Sequence, residues 1–129
     1  MIREPIPEDI KRFILRSIAS IPHLEAILLL RGKPDQVWLE RSVAERLYIS
    51  EKAAAGLLEE LSAAGFVSSS QADPPAYRYQ PSSDQLRQLV DRLAECYAKN
   101  LLEVTNIIHS KIDRKAQQFA DAFRWRKDS

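Results

Sequence analysis

Residues 40–67, ERSVAERLYISEKAAAGLLEELSAAGFV, contain the pattern that decides the fold. Helical spacing of apolar residues predicts a helix of about Glu40 to Leu47. Ser50 is a favoured N-cap residue, and the residues behind it repeat apolar side chains at i, i+3, i+4 and i+7. The predicted inward positions of the two helices are Val43, Ala44, Leu47, Ala54, Leu57, Leu58 and Leu61. The stretch therefore predicts two helices joined by a tight turn at Tyr48–Ile49, the second ending at Gly65.

The residues before this stretch predict two more helices and a short strand. Pro7 opens the first helix, and the second follows Pro22 and is stopped by Gly32 and Pro34. Their apolar positions are Ile10, Phe13, Ile14, Ile18, Ile21, Leu24, Ile27, Leu28 and Leu30. Residues 37–39, Val-Trp-Leu, predict an isolated strand.

A hairpin is predicted after Gly65. Residues 66–70 and 76–80 form its two strands, and a polar loop with Pro74 and Pro75 joins them. Because side chains alternate along a strand, Tyr77 and Tyr79 share one face and Arg78 takes the other.

Residues 82–129 predict one long helix. They contain no Gly or Pro, and Ser82-x-x-Gln85 resembles a capping box. The predicted apolar stripe is Leu86, Leu89, Val90, Leu93, Tyr97, Leu101, Val104, Ile108, Ile112, Ala116, and Phe119 or Phe123. A helix of about forty residues reaches roughly 60 Å, more than a domain of this size covers. We therefore expect a homodimer through this helix and the first helix, or else a break near Asn106 or Ser110.

Three segments resemble bacterial winged-helix transcriptional regulators of the MarR-like kind. They are residues 24–31 (LEAILLLR), 42–50 (SVAERLYIS) and 57–67 (LLEELSAAGFV), and the resemblance covers about residues 24–80. It implies a mainly α winged helix with a small β-hairpin: a three-helix helix-turn-helix core, a wing and a long C-terminal helix. The implied division is a winged helix-turn-helix domain at 1–81 and a dimerisation helix with a basic tail at 82–129. The turn position that usually holds Gly is Tyr48 here, so a different turn geometry is expected.

The leading functional hypothesis is a dimeric, DNA-binding transcriptional regulator. In this motif the first residues of the second helix meet base edges in the major groove of double-stranded DNA. The predicted DNA contacts are Arg41, Arg46, Ser50, Lys52, Ala55 and Arg78. Lys52 is the strong donor at the helix start, whereas Glu59 and Glu60 would oppose phosphates. Because Lys52 is the only strong donor, poor sequence discrimination is expected from this helix alone. Segment 1–81 carries ten Lys or Arg against eleven Asp or Glu, so a weak attraction to phosphates is also expected.

A winged-helix adaptor that binds protein is the alternative. Residues 53–56, Ala-Ala-Ala-Gly, give the second helix a flat face that another helix could approach closely. The basic segment 111–127 offers further contacts, to flanking DNA or to a protein partner, unless its aromatic residues form a dimer core. Its candidate residues are Lys111, Arg114, Lys115, Arg124, Arg126 and Lys127.

The resemblance also implies a crevice for a small aromatic effector between the wing domain and the dimer helices. Its lining here would be Trp38, Tyr48, Tyr77, Tyr79 and Tyr97. The alternative assigns these aromatic side chains to the core, which a small domain needs.

Composition and motifs argue against several other classes. The single cysteine, Cys96, allows no internal disulfide. His23, His109 and Cys96 lack the spacing of a local metal site, and three glycines leave no phosphate-binding loop. We expect no enzyme, cofactor or metal. The longest apolar run, residues 26–30, is too short to span a membrane, and a cytoplasmic protein is expected.

Overall fold

The fold is described by a computed structural model that covers residues 5–127, with side chains for residues 5–122. The elements are α1 (Glu8–Ser17), α2 (Ile21–Gly32), β1 (Trp38–Leu39), α3 (Glu40–Leu47), α4 (Glu51–Ala63), β2 (Val67–Ser69), β3 (Ala76–Tyr79), α5 (Asp84–Lys99) and α6 (Leu101–Lys127). This mainly helical α+β winged-helix fold confirms the predicted fold class, and the predicted bounds of α3 match the observed ones.

Serine side chains fix the start of three helices, because each hydroxyl accepts a backbone N–H that the first turn leaves unpaired. The pairs are Ser20 Oγ with His23 N at 3.3 Å, Ser50 Oγ with Ala53 N at 3.0 Å, and Ser83 Oγ with Leu86 N at 3.1 Å. The predicted capping box is therefore wrong by one residue, since Ser83 rather than Ser82 caps α5. The backbone N–H of Ser82 instead donates to the Gly65 carbonyl at 2.8 Å.

The sheet is antiparallel with strand order β1-β3-β2. β1 pairs with β3 through Trp38 and Tyr77, so the prediction of an isolated strand is wrong. Pairing satisfies backbone groups that an isolated strand would leave open beside the core. Tyr77 and Tyr79 face inward and are buried, whereas Arg78 is exposed, as the alternation predicted.

One hydrophobic core runs through the helices and the sheet. The four predicted inward residues of α4 are all buried, which confirms its period. Side chains from α5 and α6 join the same cluster, namely Val90, Leu93, Val104 and Ile108. Two ion pairs connect α5 to neighbouring helices. Arg92 pairs with Asp9 of α1, and Asp91 Oδ1 lies 2.9 Å from Nε of Arg31 in α2. Both oxygens of Asp9 accept from Arg92, which lowers the pKa of that carboxyl.

The predicted single C-terminal helix is broken at Asn100. The N–H of Asn100 closes α5 on the Cys96 carbonyl at 2.7 Å, while its carbonyl accepts from Val104 N at 3.1 Å and opens α6. Its backbone leaves the helical region, at φ −132° and ψ 54°. Asparagine suits this place because it is a poor interior helix residue and a good cap. The helix runs on through Asn106 and Ser110, so the break predicted there is also wrong.

Helix α6 lies beside α1 and runs in the same direction. Residues 103–107 share a groove with residues 5–11, at the start of α1. At the end of α1, Lys111 Nζ donates to the Ile18 carbonyl at 3.3 Å, and burial lowers the pKa of this lysine. All described side chains from 112 to 122 are exposed. At 1.5 Å per residue, this part of α6 projects roughly 16 Å past α1.

Tyr97 of α5 joins α2 by a hydrogen bond from its hydroxyl to Glu25 Oε1 at 2.7 Å. Burial, together with this bond, raises the pKa of Tyr97 from 10.0 to about 12. We expect Tyr97→Phe to lower the free energy of unfolding by about 1 kcal/mol near pH 8. Because the folded pKa is the higher one, this contribution is complete below pH 10 and is lost as pH rises through about 12.

Urea denaturation of both proteins at several pH values between 8 and 12 tests this dependence. The control is Tyr48→Phe, which alters a hydroxyl on a ring that is 95% exposed and should leave stability unchanged. The assignment would be contradicted if the excess stability of wild type over Tyr97→Phe increased as the pH rose from 8 to 12.

Candidate nucleic-acid interface

The helix-turn-helix consists of α3, the turn at residues 48–50 and α4. Its turn is closed by a hydrogen bond from Ile49 N to the Ala44 carbonyl at 3.1 Å. Tyr48 has φ 56° and ψ 43°, the left-handed conformation that glycine usually supplies at a helix end. The prediction of a different turn geometry is therefore wrong, because the tyrosine backbone adopts the glycine-type conformation.

The predicted DNA-contact residues lie on α3, on the first turn of α4 and on β3. The exposed ones are Arg41, Arg46, Ser50, Lys52 and Arg78, and Ala55 is half-buried. The Ser50 hydroxyl already accepts from Ala53 N, so its first role is to cap α4. At this end of α4 the helix dipole adds partial positive charge to that of Lys52.

Two of the arginines are partly engaged by neighbours. Arg41 Nε lies 3.6 Å from Glu45 Oε1, one turn away on α3, and both side chains are more than 70% exposed. Such an exposed pair is weak and leaves Arg41 able to exchange partners. The guanidinium of Arg46 lies 5.8 Å from the centre of the Trp38 ring. This cation–π contact orients Arg46 and leaves it exposed.

Carboxylates dominate the second half of α4. Glu60 Oε2 lies 2.8 Å from His23 Nε2, on the side of α4 that faces α2. Glu59 lines a groove of about 380 Å³ between α4 and the wing, which consists of β2, β3 and the loop that joins them. The other residues of this groove are Ser62, Ala63, Ser69, Gln71, Pro75 and Tyr77. None of these lining residues is a Lys or Arg. The one cation of α4, Lys52, shares the first turn of the helix with the carboxylate of Glu51.

Sequence reasoning missed the link between His23 and α4. The imidazole contacts Ser20 Oγ through Nδ1 at 2.6 Å and Glu60 through Nε2. The link joins α2 to α4, and no local signal predicts it because His23 and Glu60 are 37 positions apart. The small residues 53–56 do not form one open face, because Ala54 is buried in the core; Ala53 is exposed, and a Cβ added at Gly56 would meet nothing within 4 Å.

The basic segment 111–127 lies on a different part of the molecule. Helix α6 packs on α1 and α5, whereas α4 packs on α2, α3 and β2. Lys111 is held against the end of α1, while Arg114 and Lys115 are exposed on the projecting part of α6. The side chains of Arg124, Arg126 and Lys127 lie outside the described residues.

The alternative that assigns the aromatic side chains to the core is confirmed for three of the five residues proposed to line an effector crevice. Trp38, Tyr77 and Tyr79 are buried in the core, because the pleat of the sheet turns them inward. Tyr48 is 95% exposed on the turn, and Tyr97 is bound to Glu25 between α2 and α5. These five side chains therefore share no crevice.

Residues 5–127 contain neither a candidate metal cluster nor a single helix that could span a membrane. No group of three His, Cys, Asp or Glu side chains in this range could hold a metal ion. Within the same range, no single helix is long and apolar enough to cross a membrane; only α1 and α2 together, bent by 107°, reach that length and hydropathy.

Comparison with known proteins gives a likeness of fold. No protein-family model matches the chain, and no curated protein matches it. A solved structure described as "Possible transcriptional regulator from Methanosarcina mazei Go1" is similar, with a TM-score of 0.50 and 16% sequence identity. The match covers 88% of this chain and 86% of that one. The likeness is therefore one of fold over most of the chain, and it does not select the MarR-like kind.

Proposed function

We propose that this chain is a cytoplasmic, DNA-binding transcriptional regulator of the winged-helix type, acting as a dimer and without catalysis. The observation that supports this most strongly is the exposed N-terminal turn of α4. There Lys52 follows the Ser50 cap, and the helix dipole points its positive end outward. In a helix-turn-helix this end of the second helix enters the major groove.

Charge along α4 constrains this orientation. Glu51 shares the first turn with Lys52, and Glu59 lies on the same face as Lys52, about 10 Å further along the helix axis. The helix must therefore enter the groove by its N-terminal end for the carboxylate of Glu59 to stay away from phosphates.

Arg46 on α3 and Arg78 on the wing are exposed and suited to the phosphates on either side. The small side chains of residues 53–56 offer few donors to base edges. We therefore expect recognition mainly through the DNA backbone and shape.

Dimerisation is proposed for the projecting part of α6. Ile112 is 41% exposed and Phe119 74% exposed, and both continue the stripe that buries Ile108 against the core. A lone helical segment of this length is marginal in water, so packing against a second copy would stabilise it. A dimer also doubles the few cations that each copy can direct at phosphates.

Titration of duplex DNA at two salt concentrations tests the function. Wild type should bind random-sequence duplex with an affinity that falls steeply with salt. Lys52→Ala should weaken binding by about tenfold and reduce the salt slope by about 1. The matched control is Lys99→Ala, which removes an exposed lysine at the end of α5 and should change neither. Absence of DNA binding by wild type would overturn the proposal.

A protein-binding adaptor is the second candidate, favoured by the groove beside Glu59. The groove offers one carboxylate, hydroxyls from Ser62 and Ser69, and no cation of its own. These groups would accept a lysine or arginine side chain of a partner protein. This candidate predicts no preferred DNA sequence, and binding of a protein that Glu59→Gln weakens.

A further inference from the structure

Tyr48 combines an unfavourable backbone conformation with almost complete exposure. Its φ of 56° and ψ of 43° lie in the left-handed region, and 95% of the residue is accessible to solvent. Gln71 in the wing loop, at φ 59°, is the other non-glycine residue with positive φ in the described part of the chain. An aromatic residue rarely adopts this conformation.

Folding alone gives no reason for a tyrosine at this place. Glycine adopts the left-handed conformation without steric cost, and asparagine adopts it more readily than an aromatic residue does. An exposed ring gains no hydrophobic stabilisation to offset that cost. Strained residues of this kind cluster at functional sites, where contact with a ligand retains them.

The position of Tyr48 places it at the proposed DNA surface. It is the first residue after α3 and lies two residues before Ser50, the cap of α4. The turn leads directly into the N-terminal end of α4, where Lys52 lies four residues after Tyr48, and both side chains are exposed.

We propose that Tyr48 contacts the backbone of double-stranded DNA, an inference that rests on the proposed function. Its hydroxyl donates a hydrogen bond to a phosphate oxygen at the edge of the groove that α4 enters, and its ring lies against the adjacent sugar. Tyrosine hydroxyls are among the groups that bind phosphates in this way, and such contacts fix the register of the protein on the duplex. A neutral contact of this kind adds affinity without adding to the salt dependence.

Two variants separate the hydroxyl from the ring. Tyr48→Phe keeps the ring and should weaken binding to duplex DNA by about tenfold, the value of a hydrogen bond to a charged group. Tyr48→Gly should weaken it by at least as much, with a salt slope equal to that of wild type. Because glycine suits the left-handed conformation, its Tm should be unchanged or higher by a few degrees. Gln71→Gly, which relieves the other left-handed residue, is the matched control for this Tm effect.

The outcomes distinguish this inference from the proposed function. If wild type binds duplex DNA and both Tyr48 variants bind within twofold of it, the inference is overturned and the proposed function stands. If wild type binds no DNA, both are overturned. A fall in the Tm of Tyr48→Gly would give the tyrosine a folding role and also overturn the inference. Loss of affinity at unchanged or higher Tm supports it.

Discussion

A chain carrying Ile112→Glu and Phe119→Glu is expected to be monomeric and to bind duplex DNA at least about 100-fold more weakly than wild type. Both side chains lie on the projecting part of α6, where they are 41% and 74% exposed. Two carboxylates buried without partners in a helix–helix contact cost several kcal/mol, enough to separate the copies. A monomer then loses the effective-concentration advantage of two linked DNA-binding sites, which is about 100-fold or more.

Light scattering and DNA titration measure the two effects. Wild type should have twice the 14.7 kDa mass of one chain, and the double variant that of a single chain. The matched control is Ser110→Glu with Gln117→Glu, which adds the same charge at the same seven-residue spacing on the opposite side of α6. The control should remain dimeric. A dimeric Ile112→Glu/Phe119→Glu protein would rule out this interface.

Replacement of Phe66 by alanine is expected to lower the free energy of unfolding by about 3–5 kcal/mol. Phe66 is 1% exposed, and its ring centre lies 6.2 Å from that of Phe13 in α1. Its backbone also joins two elements, since its N–H donates to the Leu61 carbonyl and its carbonyl accepts from Gln80 N. A loss of this size is a large part of the stability of an ordinary domain.

Urea denaturation followed by circular dichroism measures this loss. Val37→Ala is the control, because Val37 is an apolar residue that is 58% exposed, and its truncation should change stability by less than about 0.5 kcal/mol. A loss below about 1 kcal/mol in Phe66→Ala would contradict the assignment of Phe66 to the core.

The sequence predicted the features that depend on neighbouring residues. The period of α4, the Ser50 cap and the inward tyrosines of β3 all follow from spacing within one element. The break at Asn100 does not, because residues 82–129 contain no Gly or Pro to mark it. Asn100 is itself a local mark, as a poor interior helix residue and a good cap, but a single asparagine is too weak a signal to place a break within continuous helical spacing.

The features of the candidate interface also fall into those that spacing within one element predicts and those that depend on contacts between elements. Lys52 and Arg78 were placed on exposed faces from periodicity alone, and their exposure agrees with that placement. The contact of Arg46 with Trp38 and that of Glu60 with His23 join different elements, so spacing could not predict them. The conformation of Tyr48 differs from the prediction because residue type suggested another geometry, whereas the turn that Ile49 N closes on the Ala44 carbonyl is of the glycine type.

The parallel packing of α6 on α1 would limit how two copies of the chain bind one DNA site. Each α6 is fixed to its own core at both ends of α1, by residues 103–107 and by Lys111, so it cannot pivot alone. In a dimer joined through α6, the distance between the two α4 helices is then a rigid dimension of the protein. The duplex, which bends and twists more readily, would have to adjust to that spacing.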